Sequence, residues 1–182
     1  MWTKRAEELL KQYVTSPNLK RHCWEVAWCM GFYAKIFGED IDLWTATGLV
    51  HDFDYEMAVG MEYPDGHPFK GVEILKSLSF PDIVIDAILG HAEYTGHPRN
   101  SLLAKCLFAV DEMSGFIHSC SRVHPSKEVS QITPEFVLKR MKEPSFCRAI
   151  DRDHLRKSAD ELGVDFKTHI ENCIRAISEA IN

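Results

Sequence analysis

Leu19, Cys23, Val26, Met30, Tyr33 and Phe37 recur in alternating steps of four and three residues. That spacing lines all six along one stripe of an α-helix but scatters them over both faces of a β-strand, so it specifies a helix with one buried side. Gly38 follows as a natural stop. The same rhythm returns in Phe166, Ile170, Ile174, Ile177 and Ile181, predicting a last helix from Asp165 to Ile181. It returns again in Leu103, Leu107 and Asp111 beside Leu102, Cys106, Val110 and Met113, within a helix from Arg99 to about His118.

Start and stop signals place the remaining helices. Thr3 is the expected cap of a helix from Lys4 to about Val14, which Ser16-Pro17-Asn18 breaks. Asp42 is the expected cap of a helix from Leu43 to about Phe53, apolar on most sides, with Trp44, Thr47 and His51 on one face. His67 reads as an N-cap with Pro68 at the first helical position, and Phe80-Pro81-Asp82 opens a helix carrying Val84, Ile88 and His91 on one side. Shorter helices are expected over Glu135 to Met141 and about Asp151 to Leu162. No segment alternates apolar and polar residues convincingly, so the fold class is all-α, a helical bundle.

The 182 residues suffice for one substantial core and are read as a single domain. No apolar run approaches the roughly 20 residues that span a bilayer, and the first residues lack a signal-peptide apolar region. The expected location is the cytoplasm, with no membrane partner. Six cysteines without a C-x-x-C spacing read as small core residues in a reducing compartment, not a zinc-thiolate site. A net charge of −6 disfavours binding to a nucleic-acid backbone, which rests on clustered Lys and Arg.

Chemistry is concentrated in His22, His51, Asp52, His67, His91 and Asp111, on inner faces or at the ends of five successive helical segments. One inward histidine is usually a hydrogen-bonded core residue. A set of four with two carboxylates is different, because an unpaired buried charge is strongly unfavourable and metal ligation resolves it. The adjacent pair His51-Asp52 suits a helix end, where the backbone leaves helical geometry and neighbouring side chains can converge.

Taken in order, His22, His51-Asp52, His67, His91 and Asp111 resemble the ligand pattern of the HD superfamily of metal-dependent phosphohydrolases over roughly residues 19 to 118. The segments Leu49-Val50-His51-Asp52, His67-Pro68-Phe69-Lys70-Gly71-Val72-Glu73-Ile74-Leu75 and Ala87-Ile88-Leu89-Gly90-His91 resemble that family too. The whole chain is similar to a bacterial group of predicted HD hydrolases. The resemblance implies that His22, His51, Asp52 and Asp111 hold one metal, that His67 and His91 hold a second, and that Asp52 bridges them. Imidazole and carboxylate ligands without thiolate suit a divalent transition metal; iron or manganese is favoured, with zinc, cobalt or nickel as further choices. The expected domain is one HD-type unit, 1–182, with its metal-site core at about 19–118 and a helical extension at about 124–182 that covers the site or forms an oligomer interface.

The expected activity is hydrolysis of a phosphoester or phosphoanhydride in a small phosphorylated molecule, a nucleotide first among them, by metal-activated water. The alternative is a non-catalytic HD module that senses a nucleotide or a metal; a helical interaction protein with a degenerate site is a weaker third reading. Asp52 and Lys70 are the expected catalytic residues, Lys70 as the phosphate ligand, with Arg99, Arg122 and Lys127 as weaker candidates. Asp54, Glu56 and Glu112 are candidates for orienting a ligand or water, since carboxylates commonly bond ligating imidazoles. His97 is the one further histidine to test; His118, His124, His154 and His169 read as loop, surface or packing residues. Phe53-Asp54-Tyr55 stands where many two-metal relatives have Ile-Gly-Lys, and Ala92-Glu93 lacks the Gly-Tyr-Pro of cyclic-di-GMP phosphodiesterases, which disfavours that activity. The compact ligand spacing is closer to HD hydrolases that cleave diadenosine tetraphosphate symmetrically.

Overall fold

The computed structural model describes residues 1–61 and 65–181. Among these, all regular structure is helical: nine α-helices and two single turns of 3₁₀-helix, with no strand. The chain separates into two compact units, residues 1–108 and 109–182. The first holds α1 (Trp2–Tyr13), α2 (Pro17–Phe37), α3 (Ile41–Val50), α4 (Phe69–Ser77), α5 (Asp82–His91) and the beginning of α6 (Leu102–Val123). The second holds the rest of α6 with α7 (Pro134–Met141), α8 (Arg152–Leu162) and α9 (Phe166–Ile181). No helix among the described residues is long and apolar enough to cross a membrane.

Helix starts differ from the sequence expectation in an informative way. Ser16 and Pro17 begin α2 as well as ending α1: the Ser16 hydroxyl accepts the Leu19 amide at 3.3 Å, and Pro17 takes the first helical position, where no N–H is needed. Asp40, not Asp42, caps α3, accepting the Leu43 amide at 3.1 Å. Thr3 caps nothing, because α1 begins at Trp2 without a side-chain cap of its own. Asp42 fills that need from the first turn of α3, accepting the Trp2 amide at 2.6 Å and the Thr3 amide at 3.2 Å. Burial pushes the Asp42 carboxyl up, but the bonds from Trp2 and Thr3 outweigh it and hold it below the usual value. Pro68 is the N-cap of α4 rather than its first residue, with His67 one position earlier and joined to it by a cis peptide bond. α3 stops at Val50, and α6 runs from Leu102 to Val123, later at both ends than expected.

The core of the first unit is built on α2 and α3. Gly48 of α3 lies so close to α2 that a Cβ there would sit 2.5 Å from Ala27 Cα, and one at Gly31 would sit 2.7 Å from Thr45 Oγ1. Contacts pairing Gly48 with Ala27 and Thr45 with Gly31 mean that the helices run antiparallel. Val26, Ala27, Met30, Tyr33, Leu49 and Val50 fill the interior. After α3 the chain turns through residues 51–60, and Phe53 is fully buried there with its ring edge against Tyr13 at 5.6 Å. Burying Phe53 is worth about 1.5–3 kcal/mol and anchors the residues on either side of it.

In the second unit the apolar stripe of α9 is buried at Ile170, Ile174 and Ile177, as its spacing predicts, but Ile181, the last residue of the helix, departs from the expectation and is 61% exposed. His169, on the same helix, is fully enclosed and donates from Nε2 to the Ala109 carbonyl at 3.0 Å. Arg152 donates to the carbonyls of Phe146, Cys147 and Ile150, organising the turn before α8.

Candidate metal centre

Antiparallel packing of α2 on α3 carries His22, one and a half turns before Ala27, toward His51, which directly follows α3. Their Nε2 atoms are 3.2 Å apart. Asp52 Oδ2 completes the group, 3.5 Å from His51 Nε2 and 3.8 Å from His22 Nε2. The other oxygen, Oδ1, faces a second pair: His67 Nε2 at 3.3 Å and His91 Nε2 at 3.4 Å, themselves 3.2 Å apart. Two three-residue groups therefore share one carboxylate, and within each the ligand atoms lie within 4.8 Å of one another.

Three of the imidazoles have their orientation set from behind. His51 Nδ1 is 2.7 Å from the Gly48 carbonyl and His91 Nδ1 is 2.5 Å from the Ile88 carbonyl, each three residues earlier in the chain. Carbonyls in the last turn of a helix lack intrahelical N–H partners, so a histidine at a helix end can donate to one of them. His67 Nδ1 is 2.7 Å from Asp54 Oδ1. Each Nδ1 faces an acceptor and therefore carries the proton, which leaves the Nε2 lone pair aimed inward.

That assembly sets electron pairs of imidazoles and a carboxylate against each other at hydrogen-bond range. It is repulsive unless positive charge sits among them. Two ligands each about 2.1 Å from one ion are about 3.0 Å apart across an octahedral edge and about 3.4 Å apart across a tetrahedral one. The 3.2 Å separation in each histidine pair lies between those values. The His67 pKa shows the same attraction for positive charge: burial works against the imidazolium, but the Asp54 hydrogen bond and the charges of Asp52 and Asp54 outweigh it and raise the pKa above 6.5. The donor set fits divalent transition metal.

Asp54 is fully buried and does two things. While Oδ1 holds His67, Oδ2 accepts the Gly71 amide at 2.7 Å, in the first turn of α4. This contact requires glycine, because a Cβ at Gly71 would come within 2.9 Å of both Asp54 Cγ and Phe53 Cε1. Glu56 lies elsewhere: its carboxylate accepts the Thr15 amide and hydroxyl at 2.9 and 2.7 Å and the Ser16 amide at 2.7 Å, clamping the link between α1 and α2. Lys70 stands half-exposed on α4, its ammonium 3.1 Å from Glu73. Arg99 donates to the Gly90 carbonyl at 2.9 Å and covers the Phe108 ring at 3.6 Å. His97 is 3.1 Å from Asp86. Asp111 and Glu112 are partly buried on α6 in the second unit, where Lys127 donates to the Arg122 carbonyl. Neither three-residue group includes Asp111.

Two tyrosines touch His67: Tyr55, from the turn Asp54-Tyr55-Glu56 that the sequence offers as the place to look for substrate selection, and Tyr94, which sequence reasoning did not single out. The Tyr55 ring meets the His67 ring at 5.4 Å and 63°, and the Tyr94 hydroxyl donates to the His67 carbonyl. Tyr55 lies in the very turn where this chain departs from its better-known relatives, which was its only signal in the sequence.

A bundle whose helix ends converge four histidines on one aspartate defines a helical protein with a candidate two-part metal centre. The chain belongs to the HD domain family, whose model matches residues 19–115, just over half of its length. Among curated proteins it is similar to ribonuclease Y of Rhodopirellula baltica, 36% identical over 91 residues, or 49% of this chain and 17% of that protein. It is also similar to ribonuclease Y of Lawsonia intracellularis, 35% identical over 98 residues (54% and 18%), and of Aquifex aeolicus, 37% identical over 78 residues (43% and 14%). The chain thus spans less than a fifth of the length of these relatives. No solved structure matches it.

Proposed function

We propose that this protein is a metal-dependent phosphohydrolase that cleaves a phosphoester or phosphoanhydride of a small phosphorylated molecule, a nucleotide first among them. The observation that carries the reading is the division of the Asp52 carboxylate, Oδ2 toward His22 and His51 and Oδ1 toward His67 and His91. One carboxylate so placed can bridge two ions. Iron or manganese is the favoured metal, with zinc, cobalt or nickel as further choices, since imidazole and carboxylate donors without thiolate suit all of them.

When bound, a metal pair supplies acidity to a water and neutralises charge on phosphoryl oxygens. The chain's own residues do the rest. Asp52 fixes the spacing of the two halves, Gly48, Ile88 and Asp54 hold three imidazoles in the ligating tautomer, and Lys70 is the proposed contact for a substrate phosphate once it leaves Glu73. Such preorganisation matters because a donor already in place need not reorganise during the reaction.

Ribonuclease Y, by its name, acts on RNA, and cleavage of an RNA phosphodiester is the second reading. The similarity of 35–37% to those proteins favours it. The net charge of −6 favours a small substrate instead. The test is elemental analysis of the purified protein, then assay of nucleotides, phosphate monoesters and a short RNA with the metal found. Turnover of a small phosphate compound that Asp52→Ala abolishes is the expected result. Tight nucleotide binding without turnover under any metal would identify a sensor, and a fully loaded site with one ion per chain would remove the bridging role of Asp52.

A further inference from the structure

Tyr55 and Tyr94 leave 55% and 60% of their surface in water, yet both are anchored on the same metal-facing residue. Tyr55 comes from the turn after α3 and Tyr94 from the 3₁₀ turn after α5, so two separate segments bring aromatic rings to His67. Each anchor uses only part of the side chain. Tyr55 applies its ring obliquely to the imidazole and Tyr94 commits its hydroxyl, so ring surface stays open on both. The Tyr55 turn also carries Val59, 75% exposed, and Met61, 50% exposed. A single exposed apolar side chain is ordinary on a protein surface. Two aromatic ones held against one candidate metal ligand mark an apolar platform beside a polar centre, which is the usual composition of a ligand site.

We infer that Tyr55 and Tyr94 form a stacking platform for the nucleobase of a nucleotide whose phosphate lies at the His/Asp centre. The inference rests on the phosphohydrolase reading and adds the residues that recognise the part of the substrate remote from the reaction. The argument for a base is one of shape and spacing. A planar π-system stacks on an exposed tyrosine face whatever its hydrogen-bonding edge, and each stacked base is held several-fold to about a hundredfold more tightly. The Tyr55 ring is one imidazole away from the nitrogen that faces Asp52, so a base on Tyr55 and a phosphate at the centre would sit on either side of His67, as the two ends of one nucleotide. Preference for a particular base does not follow, since stacking tolerates sequence; a preference for nucleotides over other phosphate compounds does.

The experiment compares two phosphonates that cannot be hydrolysed, on metal-loaded full-length protein: methylphosphonate, and the analogue of adenosine 5′-monophosphate in which a methylene replaces the ester oxygen. Affinities are measured by calorimetry for the wild type, Tyr55→Ala, Tyr55→Phe and Tyr94→Ala, with metal content determined for each. The expected result is that the wild type prefers the adenosine analogue and that this preference falls about tenfold in Tyr55→Ala and Tyr94→Ala. Tyr55→Phe retains it, because the ring and not the hydroxyl stacks. A preference unchanged in both alanine variants overturns the platform, as does a wild type that binds the two probes equally. Loss of metal with equal weakening of both probes in Tyr55→Ala also overturns it, reducing Tyr55 to a support for His67. A short oligoribonucleotide in the same assay distinguishes the source of the base: tighter binding than the mononucleotide analogue, still dependent on Tyr55, places an RNA end on the platform. Because the probes are not substrates, failure of the hydrolysis assay leaves this outcome readable.

Discussion

Asp54 grips His67 at 2.7 Å with one carboxylate oxygen and the first turn of α4 at 2.7 Å with the other, so a buried side chain that faces no ion itself determines where one of the two histidine pairs lies. Replacing it with asparagine keeps the shape but offers an amide that can accept on one side only. If its oxygen serves His67, its NH₂ opposes the Gly71 N–H. Partners behind a ligating histidine are worth about 10- to 100-fold in metal affinity. Asp54→Asn is expected to weaken one metal site by that factor and spare the His22–His51 site, as read by metal titration; equal weakening of both would refute the separation.

Asp52 presents an oxygen to each histidine pair, and asparagine has only one acceptor to offer. Bound metal in Asp52→Asn is expected to fall from two ions per chain to one or none, counted by elemental analysis. Retention of both would mean that Asp52 does not bridge.

Gly48 meets backbone, not a flexible side chain, so α2 and α3 cannot accommodate a methyl group there without separating. Gly48→Ala is expected to destabilise the protein by about 1–3 kcal/mol or more in urea unfolding. Metal affinity falls as well, because the Gly48 carbonyl orients His51 and the crossing brings His22 to it.

His169 is enclosed far from the candidate centre in sequence, and its burial holds the pKa down at about 4 against the opposing effect of its bond to Ala109. The unfolded chain takes up a proton near pH 6.5 and the folded one does not, so this residue's contribution is complete above that pH and is lost as pH falls toward 4. The loss is about 2 kcal/mol by about pH 5 and roughly 3 kcal/mol once both states are protonated. Glutamine at this position keeps an N–H donor for Ala109 without titrating. His169→Gln is expected to flatten the pH dependence of unfolding in that range, and an unchanged slope would assign it to other groups.

Much of this molecule was legible in the chain because the information was local. A stripe such as Cys23 to Tyr33 or Ile170 to Ile177 specifies a helix and its buried face by spacing alone. His51-Asp52 could be read as a convergence point because it follows an apolar helical run. Its Nδ1 partner, Gly48, lies on the same helix and obeys the same rule as His91 and Ile88.

The errors share a physical origin. Asp42, Asp54 and Glu56 each accept amides at or just before the start of a helix remote in sequence, serving α1, α4 and α2 respectively. A helix needs acceptors for its first N–H groups but is indifferent to where in the chain they come from. Sequence spacing therefore identified Asp42 as a cap while assigning it to the wrong helix, and grouped Glu56 with Asp54 although only Asp54 reaches a metal-facing histidine. By itself the sequence determined most of the helices and their inner faces, which are properties of periodicity and residue type, and it named the candidates His22, His51, Asp52, His67 and His91 that the described residues bring together. Only tertiary structure decided that Asp52 turns one oxygen to each histidine pair, that Asp54 stands behind His67, and that Tyr55 and Tyr94 flank it, because those relations depend on how closely glycine lets helices approach and on where a turn leaves its side chains.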